Sequence, residues 1–127
     1  MAPMSQSLED YLEAVYMLIA DGRPAQVRDV ARILSVKMPS VVKAIHELKR
    51  LGLVTQEPYS NIELTEEGSR VAKLVLNRHT LLRSFLVKLG VSGRTADRDA
   101  CLMEHILSAE TLDKIRLFTE EQKGDKR

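Results

Sequence analysis

The most constraining stretch of this chain lies in its second quarter, where two short helical patterns are joined by four residues and followed at once by hairpin composition. The spacing predicts a helix over 27–34, with Val27, Val30, Ala31 and Leu34 on one side. Ser35-Val36-Lys37-Met38 forms a tight connection. Pro39 then stands at the first position of a second helix, where its missing amide hydrogen costs nothing. That helix reaches residue 51, with Val41, Ile45 and Leu48 facing inward and Gly52 ending it. Leu53-Val54-Thr55-Gln56 and Asn61-Ile62-Glu63-Leu64 are strand-like runs, and Pro58-Tyr59-Ser60-Asn61 between them has turn composition. Helix, tight turn, second helix and hairpin make the layout of a winged helix-turn-helix. The major groove of B-DNA admits one helix, the preceding helix braces it, and a hairpin can lie along the backbone.

Charge supports the same reading. Between Gly22 and Val54 there are seven basic side chains (Arg23, Arg28, Arg32, Lys37, Lys43, Lys49, Arg50) and two acidic ones (Asp29, Glu47), so this third carries +5 in a chain of net charge +1. A local basic excess inside a near-neutral protein suggests contact with a polyanion. Ser40, Lys43, Glu47 and Arg50 fall on the face of the second helix opposite its apolar residues. Ser40 and Lys43 lie near its N-terminal end, where base edges are touched. Arg28, Lys37 and Arg50 suit phosphates, which position a protein without reading sequence. The plainer reading of one charged helix is a solvated face; the order of elements and the +5 together favour double-stranded DNA. No glycine-rich phosphate loop or nucleophile elbow competes for the segment.

Around this centre the pattern is helical. A helix is expected over 7–20, with Ser7 as cap, Asp10 reaching back to it, and Leu8, Leu12, Val15 and Ile19 at helical spacing. Thr65 caps a long helix to about residue 88, with Glu66 and Glu67 at the positive end of its dipole. Val71, Leu74, Val75, Leu81, Leu82, Phe85 and Leu86 form its apolar stripe. Two more helices are expected over 95–106 and 109–120, the last capped by Ser108, before a polar tail. With 127 residues the chain is one domain, or a compact domain with an extension. It holds a single cysteine, Cys101, so no intrachain disulfide is possible. No apolar run is long enough for a membrane span and no secretory leader is visible, so a cytoplasmic location is expected.

Three groups of metal-type donors remain. Asp10 and Glu13 are three apart on the first helix and point the same way. His79 lies on the long helix. Cys101, Glu104 and His105 put thiol, carboxylate and imidazole within one turn of the fifth helix, a spacing that suits a divalent transition metal. Each group alone has a plainer reading: Asp10 as a cap partner, Glu13 as a solvated charge, His79 as a structural residue, and Cys101 as a small buried side chain.

Glu9-Asp10-Tyr11-Leu12-Glu13, Val27-Arg28-Asp29-Val30-Ala31, Leu64-Thr65-Glu66-Glu67-Gly68, Arg78-His79 and Glu104-His105-Ile106-Leu107-Ser108, in this order and spacing, resemble the diphtheria-toxin-repressor family of metal-dependent regulators, in its manganese-transport branch. The resemblance runs from about Ser7 to Phe118. It implies a mainly α fold, with a winged helix-turn-helix DNA-binding domain over 1–70 and an all-helical metal-binding and dimerisation domain over 71–127. It further implies a homodimer that binds a palindromic operator of metal-uptake genes, with a divalent metal as corepressor. Asp10, Glu13, His79, Cys101, Glu104 and His105 match the family's metal-ligand positions, and Arg28, Lys37, Pro39, Ser40, Lys43 and Arg50 are the candidate DNA contacts.

Two departures bear on the metal. Manganese-sensing members usually carry Glu at the position of Cys101. Iron-sensing members carry Cys there, but Met at the position of Asp10. The hard oxygens of Asp10 and Glu13 favour Mn2+, with Fe2+ next; the softer Cys101 sulfur admits Fe2+, Co2+, Ni2+ or Zn2+, the alternative being that Cys101 contributes only its backbone carbonyl. The iron branch has an ancillary site made of a histidine and a carboxylate one turn later; here Arg83 follows His79, and Asp97 offers a substitute carboxylate. The chain ends before the SH3-like third domain of many iron-branch members. No organic cofactor and no enzymatic activity are expected, because a metalloenzyme also needs an open coordination position and a placed base. The competing reading is a winged-helix regulator sensing an organic ligand or oxidation at Cys101; a redox sensor wants an exposed thiolate, which the acidic neighbours Asp97, Asp99 and Glu104 disfavour.

Overall fold

The computed structural model describes residues 6–124. The described elements run α1 (Gln6–Ala20), α2 (Val27–Leu34), α3 (Met38–Arg50), β1 (Val54–Thr55), β2 (Glu63–Leu64), α4 (Glu66–Leu89), α5 (Gly93–Met103) and α6 (Ala109–Gly124). The chain divides into two compact units, with the boundary between Leu74 and Val75 inside α4.

In the first unit, α1, α2 and α3 close around an apolar core. Leu12, Val15, Val30, Val41 and Leu48 are wholly shielded, and Ile45, Leu53, Val54 and Ile62 nearly so. Leu12, Val15, Val30, Val41, Ile45 and Leu48 are residues that helical spacing put inside, whereas Ile19 and Leu74, given inward places by the same spacing, are exposed. Burying a side chain of this size contributes about 1.5–3 kcal/mol, so the cluster is the main stabilising term of the unit. The α2–α3 connection turns on Ser35, whose left-handed φ of 55° lets the Val36 amide donate to Ala31 O at 3.0 Å. Pro39 occupies the second position of α3 rather than the first, because Lys37 is the cap. Gly52 ends the helix at φ 77°, and the Leu53 amide donates back to Leu48 O at 3.0 Å.

The wing is smaller than its composition suggests. Each strand has two residues, paired antiparallel as Val54 with Leu64 and Thr55 with Glu63. A further bridge pairs Ile62 with Ala25, ahead of α2, through an Ile62 N–H donating to Ala25 O at 2.8 Å. At the base of the wing, Thr65 Oγ1 accepts from the Gly68 amide at 3.0 Å and donates to Gly52 O at 2.7 Å. One hydroxyl thus caps α4 and ties it to the end of α3. Gly68 is required here by contact: a Cβ would fall 1.8 Å from Leu53 O.

In the second unit α4 continues with α5 and α6. Val75, Leu82, Ala96 and Ala100 are buried, and Phe85 meets Phe118 edge to face with ring centroids 6.1 Å apart. Ser92 caps α5, accepting from the Thr95 amide at 3.4 Å, and Ser108 caps α6, accepting from the Thr111 amide at 3.2 Å.

Several sequence-based boundaries move. Ser7 lies inside α1, so its capping role is not realised. α5 starts at Gly93 and stops at Met103, short of residue 106. α6 extends through most of the expected tail, to Gly124. Residues 1–5, where no secretory leader is expected, and residues 125–127 lie outside the described residues.

Candidate metal centre and nucleic-acid interface

The DNA-facing candidates all come from the first unit. With Val41, Ala44, Ile45 and Leu48 buried, α3 turns Pro39, Ser40, Lys43 and Arg50 to solvent. Arg28 on α2 and Lys37 at the start of α3 are also exposed. Arg50 is folded back on Glu47: Nε donates to both carboxylate oxygens at 3.1 Å, and Nη2 joins the pair. The hydrogen bond from Arg50 holds the Glu47 carboxyl below its ordinary range and raises the guanidinium. Lys49 Nζ donates to Gln56 O at 3.4 Å, linking α3 to the wing. Sequence reasoning passed over Met38, Val42 and His46, which are exposed on the same helix. Exposure of two apolar residues so close to its N-terminal end was not readable from periodicity alone.

The second unit holds an unusual buried cluster. Glu104 is completely shielded from solvent. Its Oε2 lies 3.3 Å from His79 Nδ1, and its Oε1 lies 3.2 Å from His105 Nε2. A carboxylate in the interior costs several kcal/mol unless positive charge or hydrogen bonds compensate it. Cys101 is half-buried, with Sγ within 4.8 Å of a Glu104 oxygen. His79 Nδ1 is shielded from solvent and makes no hydrogen bond, although it faces the carboxylate. A ring nitrogen and a carboxylate oxygen turned toward each other in this way, with a second imidazole and a thiol alongside, suit a divalent transition metal. The donor set therefore fits the group that the resemblance implies.

Cys101, Glu104 and His105 do not share one α-helix as the spacing suggested. Glu104 is the C-cap of α5, and beyond it the chain tightens: the His105 amide donates to Leu102 O at 3.4 Å and the Ile106 amide to Met103 O at 3.1 Å. Glu104 and His105 are thus presented by a closing turn of i to i+3 type. Asp10 and Glu13 lie on α1 in the first unit, half-buried and one turn apart. Asp97, weighed in the sequence as a substitute carboxylate for an ancillary site, and Arg83, which replaces the carboxylate there, stand beside His79: Asp97 Oδ1 is 3.6 Å from His79 Nε2 and accepts from Arg83 Nε at 2.7 Å. Their contact crosses from α4 to α5, so spacing along the chain could not disclose it.

A winged helix-turn-helix with a basic exposed face, carried with a buried carboxylate–imidazole cluster, defines a metal-responsive DNA-binding regulator. Residues 3–62 match the N-terminal DNA binding domain of iron dependent repressors, and residues 65–126 match their metal binding and dimerisation domain. The chain belongs to the iron dependent repressor family of metal-dependent transcriptional regulators. It is 43% identical over 122 residues to an uncharacterised HTH-type transcriptional regulator of Methanocaldococcus jannaschii, covering 94% of this chain and 98% of that one. It is 41% identical to the transcriptional regulator MntR of Escherichia coli O157:H7, covering 89% of this chain and 73% of that protein. Among solved structures, the manganese regulator SloR superposes with a TM-score of 0.80 at 25% identity, covering 94% of this chain and 55% of SloR. A manganese-dependent transcriptional repressor in complex with manganese also gives a TM-score of 0.80, at 26% identity, over 89% of this chain and 52% of that one. The chain spans about half the length of these two solved regulators. No helix among the described residues is long and apolar enough to cross a membrane.

Proposed function

We propose that the chain is a homodimeric repressor with Mn2+ as its corepressor and Fe2+ as the next candidate, acting on a palindromic double-stranded operator of metal-uptake genes. The observation that carries this reading is the fully shielded Glu104 carboxylate between the imidazoles of His79 and His105. In this proposal residues 1–70 read DNA and residues 71–127 bind metal and pair the subunits. His79, Cys101, Glu104 and His105 hold the metal, and Asp10 and Glu13 of α1 are donors to the same centre. Asp10, Glu13 and Glu104 are like charges, which disfavour sharing one site. A bound divalent cation supplies the compensating charge.

α1 transmits the effect. Its Leu12, Val15 and Leu18 belong to the same apolar core as Val30 of α2 and Val41 of α3. An α1 held in place therefore holds α3 in place. Two α3 helices across a two-fold axis must stand about one DNA turn apart to enter successive major grooves. Ser40 and Lys43 face base edges there, Pro39 sets the start of the helix, and Arg28, Lys37 and Arg50 meet phosphates. The coupling between metal and operator is reciprocal, typically about 1–3 kcal/mol per event.

The carboxylates of Asp10, Glu13 and Glu104 favour manganese, and the relatives named MntR support that order; Cys101 extends the range to Fe2+, Co2+, Ni2+ and Zn2+. Exposed Leu89, Leu102, Ile106 and Phe118 in the second unit supply apolar area for a second subunit. The protein is read as a cytoplasmic regulator without organic cofactor or enzymatic activity. The test is operator binding by purified metal-free protein, titrated separately with Mn2+, Fe2+, Co2+ and Zn2+ at controlled free concentrations. His79→Ala should stay folded and lose the response; a variant that responds like wild type would remove His79 from the centre.

A further inference from the structure

If His79 Nδ1 is a metal donor, its other ring nitrogen must carry the proton. A neutral imidazole has one N–H, and the partner of that N–H fixes both tautomer and ring orientation. His79 Nε2 faces Asp97 Oδ1 at 3.6 Å. That oxygen is itself held, because Arg83 Nε donates to it at 2.7 Å. Arg83 follows His79 by one turn of α4, and Asp97 precedes Cys101 by one turn of α5. The guanidinium also lies against the start of α5: a Cβ at Gly93 would stand 3.0 Å from Arg83 Nη2. The glycine leaves room for the Arg83 side chain at this point.

An isolated Arg–Asp pair this exposed contributes little to stability. The third member gives it a role. At 3.6 Å the Asp97–His79 contact is too long for a hydrogen bond, so it acts through charge until the ring shifts by a few tenths of an ångström. Glu104, nearer at 3.3 Å, attracts the ring proton to Nδ1 in the metal-free protein; with a cation on that side, the Asp97 carboxylate stabilises the proton on Nε2 and leaves the Nδ1 lone pair for the metal.

We infer that Asp97, clamped by Arg83, is a positioning residue for His79, presenting Nδ1 to the metal without binding the metal itself. The adjacent guanidinium disfavours a second cation at the same carboxylate oxygen. The inference rests on the reading of His79 as a metal ligand.

The test uses the full chain without DNA. Mn2+ affinity is measured by competition with a chelator, and Co2+ binding by its ligand-field absorption, for wild type, His79→Ala, Asp97→Ala and Asp97→Asn. Thermal midpoints of the metal-free proteins run alongside. Asp97→Ala should weaken Mn2+ binding about tenfold, the low end for a lost partner of a ligating histidine. Asp97→Asn, which keeps an acceptor oxygen, should recover part of that loss. Co2+ bands and stoichiometry should match wild type, and the metal-free midpoints should coincide. Unchanged Mn2+ affinity in Asp97→Ala, with binding lost in His79→Ala, would overturn the inference and leave the metal reading standing. Displaced Co2+ bands or a lost equivalent of metal in Asp97→Ala would make Asp97 a ligand and also overturn it. Wild type failing to bind either metal, or His79→Ala binding like wild type, would remove the underlying reading and the inference with it.

Discussion

Among the described residues, every side chain buried in the first unit is apolar, while the second unit buries Glu104 completely and sets two imidazoles on its oxygens. The first unit keeps its charge at the surface: Lys43, Lys49 and Arg50 stand on the outer side of α3, away from Val41, Ile45 and Leu48. Its stability rests on apolar burial and on the backbone-closed C-terminal ends of α2 and α3, since neither helix has a side-chain cap at its N-terminus. The second unit gives up some of that economy, because a carboxylate in its interior is favourable only with a compensating cation or proton. The contrast separates two tasks. A reading head must present charge to DNA in a fixed shape, and a sensor must be incomplete until its ligand arrives.

The largest expected effect tests the rigidity of the reading head. Gly68→Ala forces a methyl group onto the Leu53 carbonyl, 1.8 Å from its oxygen. The backbone of the wing must move, at a cost of about 3 kcal/mol. Denaturant unfolding should show that loss with or without metal; an unchanged midpoint would mean that the base of the wing yields freely.

Next comes the sensor. Manganese at a hundred times its dissociation constant should stabilise the wild type by about 2.7 kcal/mol. Glu104→Gln should abolish that gain, while its metal-free form is at least as stable as wild type, since a buried charge has been removed. A metal-free Glu104→Gln protein that unfolds much more readily would show that the carboxylate is structural.

Lys43→Ala addresses the surface of α3. It should weaken operator binding by about 1 kcal/mol, the lower range for a base contact, and leave metal affinity of the free protein unchanged. Equal operator affinity in a gel-shift or anisotropy titration would take Lys43 out of the interface.

The smallest effect concerns Glu47. The Arg50 hydrogen bond lowers its pKa, so the pair is present at neutral pH and dissolves as pH falls through that lowered value. Both groups are exposed, and Glu47→Gln should leave the thermal midpoint unchanged. It should free Arg50 for phosphate and steepen the salt dependence of operator binding. An unaltered salt slope would leave Arg50 without a phosphate contact.

The reading head was the more legible half. Helical spacing of Val30, Val41, Ile45 and Leu48 named core residues correctly, and Thr65 and Ser108 were recognisable as caps from their place before helical runs. Composition overstated the strands, because turn residues mark a hairpin without setting how many ladder bonds form; the Ala25–Ile62 bridge takes up pairing that the wing itself lacks. In the second unit, Cys101, Glu104 and His105, which the structure brings together, were singled out by type and spacing. The end of α5 at Met103 was not, since no glycine or proline marks it. The His79–Asp97–Arg83 contact and the approach of Gly68 to Leu53 depend on elements meeting across the fold, which a one-dimensional pattern does not encode.

In the proposed mechanism a metal held around Glu104 governs what α3 can bind. The direct measurement is operator affinity at fixed ionic strength, once with saturating Mn2+ and once with chelator, paired with Mn2+ affinity in the presence and absence of saturating operator. Operator binding should tighten at least tenfold with metal, and metal binding should tighten by the same factor with operator. Equal operator affinity in Mn2+ and in chelator would contradict it.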